Sequence, residues 1–187
     1  MLQPKIQNVV STADVKQMID LAKFNDFSWG TYDTDLYRGR CGYVKDEKMD
    51  GRVSVFVSGK MISTGAKTLS MSVEQLEHTM DLLSVNKLAK KVILKHKVEN
   101  IVATLDLKSG LDVKTMLRSL DNYTYEPEIF PGIIYKHSSG ISCLFFASGK
   151  IVIAGAKSKN NLKSIACEVE RILKNNKTNY ESFIGTL

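Results

Sequence analysis

Residue types that commonly carry out catalysis are present in this chain, but their spacing does not assemble a reactive site. The segment Gly59–Thr68 is similar to a phosphate-binding loop, yet five residues separate its glycines where such loops have four, and Ala66 precedes Lys67. The three cysteines and three histidines are widely scattered, without a CxxC pair or a metal-like spacing. The acidic residues form no obvious catalytic pair. These patterns argue against an enzyme, and they predict no cofactor and no bound metal.

Polar and aromatic residues suited to binding recur instead in a pattern that the chain contains twice. Three blocks occur in the same order in each half: Lys5–Val15 and Lys97–Leu107, Tyr32–Tyr37 and Tyr125–Phe130, and Phe56–Lys67 and Phe146–Lys157. We interpret this as one ancestral half that was duplicated and fused. The first repeat is expected to span residues 1–92 and the second residues 93–187.

Each half is predicted to begin with a strand, Ile6–Thr12 or Val98–Thr104, followed by a short helix. In the second half this helix is expected at roughly Asp112 to Leu120. In the first half Asp14 is the expected N-cap. The apolar stripe of this first helix is expected to be Val15, Met18, Ile19 and Ala22.

The rest of each half is predicted to contain several strands and one longer helix. Ser58-Gly59 and Ser148-Gly149 lie between alternating segments, which indicates hairpin turns and antiparallel pairing. The longer helices are expected at Ser72–Leu88 and Asn161–Lys174. Strand, helix, strands and helix, repeated twice, is an α+β arrangement in which the helices cover one face of the sheet. The other face stays open to a partner.

The residues of the open face follow from the alternation of side chains along a strand. They combine amide, hydroxyl and branched apolar groups with lysines: Asn8, Val10, Thr12, Ser54, Phe56, Lys60, Ile62 and Thr64, and Asn100, Val102, Thr104, Leu144, Phe146, Lys150, Val152 and Ala154. This mixture suits a DNA minor groove, where amides meet base-edge acceptors, aliphatic groups pack on sugars, and lysines meet phosphates. The net charge of +6 also favours a polyanionic partner.

Structural roles are the alternative interpretation of the same residues. Phe56 and Phe146 could be ordinary core aromatic residues, although their equivalent places beside tight turns favour wedges that project from the sheet. The four repeated lysines, Lys60, Lys67, Lys150 and Lys157, could equally be solvated surface charges. No stretch approaches the ~18 apolar residues of a membrane span, so no membrane partner is predicted.

Five blocks of the sequence resemble the core domain of the TATA-box-binding protein family, over roughly residues 4 to 175. They are Pro4–Ala13, Phe56–Met61, Thr64–Lys67, Tyr125–Tyr135 and Ala147–Lys150. The resemblance implies one curved antiparallel sheet, shaped like a saddle, with helices on its convex face. It further implies a general transcription initiation factor that binds the minor groove of TATA-type promoters, bends it with aromatic wedges and nucleates the preinitiation complex.

The resemblance assigns a role to residues in both halves. The wedges that insert between base steps would be Tyr37, Phe56, Phe130 and Phe146, where Tyr37 departs from the phenylalanine of the family. The DNA-binding residues would be Asn8, Val10, Lys60, Ile62, Thr64, Lys67, Asn100, Val102, Leu144, Lys150, Val152 and Lys157. Ser54 and Ala154 also depart from the family pattern, in place of leucine and threonine.

The resemblance also implies protein partners. Glu126 and Glu128 match acidic contacts to transcription factor B, which would connect the chain to the RNA polymerase machinery. A contact with factor A stays open, because the first long helix begins with acidic residues and its lysines cluster late. The expected location is the nucleus, with an archaeal or viral member as the alternative. The alternative function is a divergent scaffold that binds transcription factors and has weak or altered DNA specificity.

Overall fold

The computed structural model of the chain describes residues 2–175. It contains two compact units, one formed by Asn8–Glu99 and the other by Met1–Gln7 with Asn100–Leu187, of which residues 2–7 and 100–175 are described. The predicted repeat limits, 1–92 and 93–187, stay a prediction, and residues 176–187 of the second repeat lie outside the described residues.

The first half of the chain contains five antiparallel strands in the order β2-β3-β4-β5-β1. They are β1 (Lys5–Asp14), β2 (Gly30–Tyr32), β3 (Cys41–Val44), β4 (Arg52–Phe56) and β5 (Lys60–Ala66). The second half contains five strands in the equivalent order β6-β10-β9-β8-β7. They are β6 (Lys97–Asp106), β7 (Tyr123–Thr124), β8 (Ile133–Lys136), β9 (Ser142–Phe145) and β10 (Lys150–Ala156).

The two predicted hairpin turns are confirmed. Gly59 joins β4 to β5 with a φ of 86°, and Gly149 joins β9 to β10 with a φ of 84°. Both values lie in the left-handed region that glycine adopts without steric cost. A Cβ at Gly149 would also lie 1.8 Å from the carbonyl oxygen of Ser109, so no side chain fits there.

The long helices are confirmed as α1 (Leu69–Val85) and α3 (Lys159–Asn175). Helix α1 begins three residues before the prediction, since the Thr68 hydroxyl accepts the Met71 N–H at 3.1 Å and caps it. The short helix of the second half is α2 (Val113–Leu117), capped by Asp112 and shorter than predicted.

The prediction of a short α-helix directly after β1 is wrong. A 3₁₀ helix at Leu21–Asp26 is found instead. Of the predicted apolar stripe, Val15 and Ile19 are buried, whereas Met18 and Ala22 are exposed.

Hydrogen bonds to the hairpin explain this difference. The backbone N–H groups of Val15 and Ile19 donate to carbonyl oxygens of the β4–β5 turn region, both at 2.9 Å, so they are not available to a helix. Asp14 does not cap a helix either, because its carboxylate accepts the Lys16 N–H at 2.7 Å in a local turn. Lys16 then adopts a left-handed φ of 56°.

One face of each five-stranded sheet packs against helices. In the first half, α1 contributes Leu76, Met80 and Leu83 to the same core as residues from β4 and β5. In the second half, α3 packs against β10. Its buried residues are Leu162, Ile165, Ala166, Val169, Ile172 and Leu173. The predicted α+β class with two tandem repeats is therefore confirmed.

Two classes of feature are not found in the described part of the chain. Within residues 2–175, no helix has the length and apolar composition needed to cross a membrane. Over the same residues, no group of three or more His, Cys, Asp and Glu side chains could hold a metal ion.

Candidate nucleic-acid interface

The strand faces alternate as the sequence predicts. In β5, Met61 and Ser63 are fully buried, whereas Lys60, Ile62 and Thr64 are exposed or half-buried. The equivalent residues of β10 follow the same alternation. The buried parity faces the helices, so in each half the other parity forms a surface that no helix of residues 2–175 covers. We call this surface, which includes the sixteen residues predicted above, the open face.

Two asparagines occupy equivalent positions on the open faces. The Gly65 N–H donates to Oδ1 of Asn8, and the Gly155 N–H donates to Oδ1 of Asn100, each at 2.8 Å. Both bonds lie at β-bulges, since the pairing register shifts at Gly65 in β5 and at Gly155 in β10. The bulge turns a backbone donor toward the amide oxygen, which fixes the orientation of each side chain.

The fixed amide orientation decides which groups remain for a ligand. Because Oδ1 of Asn8 and Asn100 accepts a backbone proton, the Nδ2 atom of each side chain presents two N–H donors. The minor groove of A·T pairs offers only the acceptors adenine N3 and thymine O2. The two asparagines therefore have the hydrogen-bonding character that an A·T minor groove requires.

Half-buried apolar side chains share the open faces with the asparagines. The pairing register places Ile62 between Thr12 and Ser54, and Val152 between Thr104 and Leu144. Val10 and Val102, also predicted to bind DNA, are half-buried in β1 and β6. These partly exposed aliphatic groups can pack against sugars and base edges.

The predicted lysines lie at the strand ends and beyond them. Lys60 pairs in register with Asp14, and Lys150 with Asp106. Hydrogen bonds from Lys108 hold the pKa of the Asp106 carboxyl below its usual value, and the charge of Lys150 adds a smaller effect in the same direction. Lys67 and Lys157, just after β5 and β10, are exposed.

The two predicted wedge residues of the second half lie together. The rings of Phe130 and Phe146 have their centroids 5.7 Å apart at an interplanar angle of 67°, an edge-to-face contact. Gly132 lies against both rings, since a Cβ there would be 2.8 Å from Phe130 and 3.0 Å from Phe146. Gly132 is not among the predicted site residues, although a glycine two residues after Phe130 was a visible signal.

The two predicted wedge residues of the first half differ from this arrangement. Tyr37 lies in the turn Leu36–Gly39 with a left-handed φ of 50°, and its side chain is 67% exposed. Phe56 is half-buried at the end of β4 and lines a depression with Thr12, Lys60 and Ile62. Among residues 2–175, Tyr37 and Phe56 form no ring contact like that of the second half.

Two further residues on the open face of the first half were missed by the sequence analysis. The guanidinium carbon of Arg52 lies 4.5 Å from the ring centroid of Tyr43. Arg52 pairs in register with Thr64, and Tyr43 pairs with Ser54. The face of Arg52 could have been predicted, because it has the same strand parity as Ser54 and Phe56. The face of Tyr43 follows only from its pairing with Ser54.

The predicted partner-binding acids lie in the turn before β8. Glu126 and Glu128 are exposed, and the Glu126 carbonyl accepts the N–H groups of Ile129 and Phe130 at 2.9 and 2.8 Å. Ile129 is 80% exposed, so the turn presents an apolar side chain between acidic residues and the wedge pair.

Comparison with known proteins connects these features to one family. A family model described as "Transcription factor TFIID (or TATA-binding protein, TBP)" matches residues 3–85 and 95–176, one match for each repeat. The TATA-box-binding protein of Cenarchaeum symbiosum is 42% identical over 161 residues, covering 86% of this chain and 88% of that protein. The TATA-box-binding protein of Tetrahymena thermophila is 32% identical over 178 residues, covering 93% and 71%.

A solved structure is similar over most of the chain. The TBP of Methanococcus jannaschii has a TM-score of 0.81 at 26% identity, covering 92% of this chain and 99% of that one. The internal repeat and the fold predicted from the sequence agree with both comparisons. The chain belongs to the TATA-binding protein (TBP) family of transcription factors.

Proposed function

We propose that this protein recognises TATA-type promoter DNA through its open faces and starts assembly of the transcription machinery. Members of its family are general transcription initiation factors and not enzymes. The observation that carries the proposal is the pair of asparagines, Asn8 and Asn100, whose amide N–H groups are left as donors by the two bulge hydrogen bonds.

Recognition of A·T pairs follows from the chemistry of these donors. A G·C pair adds the guanine N2 amino group to the minor groove, which is a further donor and occupies space at the groove floor. The asparagine N–H donors would then face the guanine N–H donors. The guanine amino group would also keep the half-buried aliphatic residues away from the base edges. The open faces should therefore disfavour G·C at the positions that the asparagines contact.

Bending of the DNA would come from aromatic side chains inserted between base steps. Phe130 and Phe146 already form an ordered edge-to-face pair, which would lose little conformational freedom on insertion. In the first half Phe56 would insert from the end of β4. Tyr37 would have to move toward Phe56 from its exposed turn to form an equivalent pair.

Protein partners would bind away from the open faces. The exposed acids Glu126 and Glu128, with Ile129 beside them, are suited to a basic partner with an apolar pocket, and we assign them to transcription factor B. Factor B would in turn bring the RNA polymerase machinery. In helix α1, Glu77 lies 2.9 Å from His96 and Asp81 is paired with Lys91, so both acids already have a partner within the chain, and a factor A contact stays open. The nuclear location stays a prediction.

Three departures on the open faces keep the scaffold function as the alternative. Tyr37 replaces a wedge phenylalanine, Ser54 replaces an apolar lining residue, and Ala154 lacks the hydroxyl of Thr64. A missing neutral hydrogen bond changes binding by about 0.5–1.5 kcal/mol, which would weaken recognition without abolishing it.

Energy transfer across a short duplex tests the proposal. A TATA-containing duplex with a fluorophore at each end, and a G·C-rich duplex of equal length, are titrated with the protein at several salt concentrations. Promoter recognition predicts selective binding to the TATA duplex with increased transfer between the bent ends. Equal weak binding to both duplexes without a change in transfer would reject it and favour the scaffold.

A further inference from the structure

We propose that Arg52, stacked on Tyr43, binds a DNA phosphate group. Within residues 2–175, this stacked pair is present only in the first half of the protein. The proposal rests on the DNA-binding function proposed above, and it adds a residue pair that the family resemblance does not assign.

Strand pairing brings the two side chains together on the open face. Arg52 begins β4 and pairs with Thr64 of β5, while Tyr43 lies in β3 opposite Ser54. The 4.5 Å distance from the guanidinium carbon to the Tyr43 ring centroid is that of a cation–π contact. Stacking restricts a long side chain that would otherwise be flexible, so less conformational entropy is lost when it binds an anion.

The guanidinium is available for an anion. Arg52 is exposed, and within residues 2–175 its guanidinium forms no ion pair and no hydrogen bond. A stacked guanidinium keeps its N–H groups at the ring edge, where they can bind two phosphate oxygens at once. The neighbouring Lys45 is different, because its ammonium group donates to the backbone carbonyl oxygens of Met49 and Asp50.

The second half has a neutral pair at the equivalent places. Ser142 pairs with Ala154 as Arg52 pairs with Thr64, and Ile134 pairs with Leu144 as Tyr43 pairs with Ser54. Neither Ser142 nor Ile134 can bind a phosphate through charge. Lys136 lies opposite Ser142 and is exposed, but among the described residues it has no stacked guanidinium beside it. In this part of the chain the stacked cation is thus confined to the first repeat of a protein whose halves are otherwise built alike.

The salt dependence of binding to the TATA duplex isolates this contact. Arg52→Ser installs the residue of the second half, Tyr43→Ile removes the aromatic ring, and Tyr43→Phe keeps it. Arg118→Ser is the matched control, because Arg118 is exposed after α2, outside the sheet, and its loss changes the net charge equally. Thermal melting checks that each variant is folded.

We expect Arg52→Ser to weaken binding roughly threefold to tenfold and to lower the slope of log K against log salt by about one, the value for one phosphate contact. Tyr43→Ile should act in the same direction, while Tyr43→Phe and Arg118→Ser should match the wild type. Unchanged slope and affinity in Arg52→Ser, or an equal loss in Arg118→Ser, would overturn the inference. If the wild type does not bind the TATA duplex, the proposed function itself fails, which is a separate result.

Discussion

At the scale of single residues, the recognition chemistry depends on groups whose orientation the backbone fixes. Asn8 and Asn100 accept bulge N–H groups at the same distance of 2.8 Å in both halves. A bulge of this kind needs a residue with positive φ, and Gly65 and Gly155 have φ values of 88° and 103°. The glycines therefore determine that a ligand meets the Nδ2 amino group of each amide and not its oxygen.

Replacing the donors of one amide tests this role directly. In Asn8→Asp the carboxylate can still accept the Gly65 N–H, but it offers an acceptor where the amide offered donors. We expect the fold to persist and affinity for the TATA duplex to fall by about 1–3 kcal/mol. Asn161→Asp, an equal charge change at an exposed site in α3, should bind like the wild type. Equal affinities in Asn8→Asp and the wild type would contradict the assignment.

The ring pair of the second half depends on the absence of a side chain at Gly132. A methyl group there would lie within 3.0 Å of both rings, so Gly132→Ala should displace Phe130 or Phe146. Overpacking of this kind costs about 1–3 kcal/mol. We expect a lower melting temperature and a smaller energy-transfer change on DNA binding. Wild-type bending in this variant would show that the observed ring geometry is not needed for insertion.

The three cysteines should differ in reactivity. Burial raises the pKa of the Cys143 thiol to about 12, and burial also raises the pKa of Cys41, whereas Cys167 is exposed on α3. Since the thiolate is the reactive form, a thiol reagent at pH 8 should modify Cys167 rapidly and leave the other two until the protein unfolds. Rapid modification of a second cysteine in the folded protein would contradict the packing described.

At the scale of elements, α1 is attached to the first sheet by polar contacts as well as apolar ones. Gln75 donates to the Ser63 hydroxyl and accepts the Gly51 N–H, both at 2.6 Å. Ser72 of the same helix lies 2.7 Å from Ser11, oxygen to oxygen. The residues that α3 buries in the second half are all apolar.

Removing the Gln75 amide should therefore destabilise the first half. Gln75→Leu leaves a buried hydroxyl and a backbone donor without their partner, which costs about 1–3 kcal/mol measured by urea denaturation. Adding Ser63→Ala should recover part of the loss, because that hydroxyl is then gone as well. Lys163→Ala, exposed on α3, is the control. A Gln75→Leu variant as stable as the wild type would show that the network is energetically neutral.

The elements also show what the sequence could predict. Repeats, hairpins and long helices follow from local signals, such as the Ser-Gly turns and the 3.6-residue period of α3, and these predictions hold. The short helix after β1 fails because its apolar spacing is helical while its backbone donors bond to the distant β4–β5 hairpin. The Tyr43–Arg52 contact depends on the pairing register of two strands, which no local pattern specifies.

At the scale of the whole molecule, the net charge and the base-edge contacts have different effects on DNA binding. The net charge of +6 will draw the chain to any DNA, so affinity alone does not demonstrate promoter recognition. Selectivity has to come from the base edges, and we assign it to the amide donors of Asn8 and Asn100.

Duplexes in which inosine·cytosine pairs replace the A·T pairs of the TATA site test that assignment most directly. Such a pair lacks the guanine amino group, so its minor groove resembles that of A·T while its major groove resembles that of G·C. The account predicts that the protein binds the inosine duplex and the TATA duplex with similar affinity, and the G·C duplex much more weakly at the same salt. Loss of binding to the inosine duplex, equal to the loss with G·C, would contradict recognition through the minor groove.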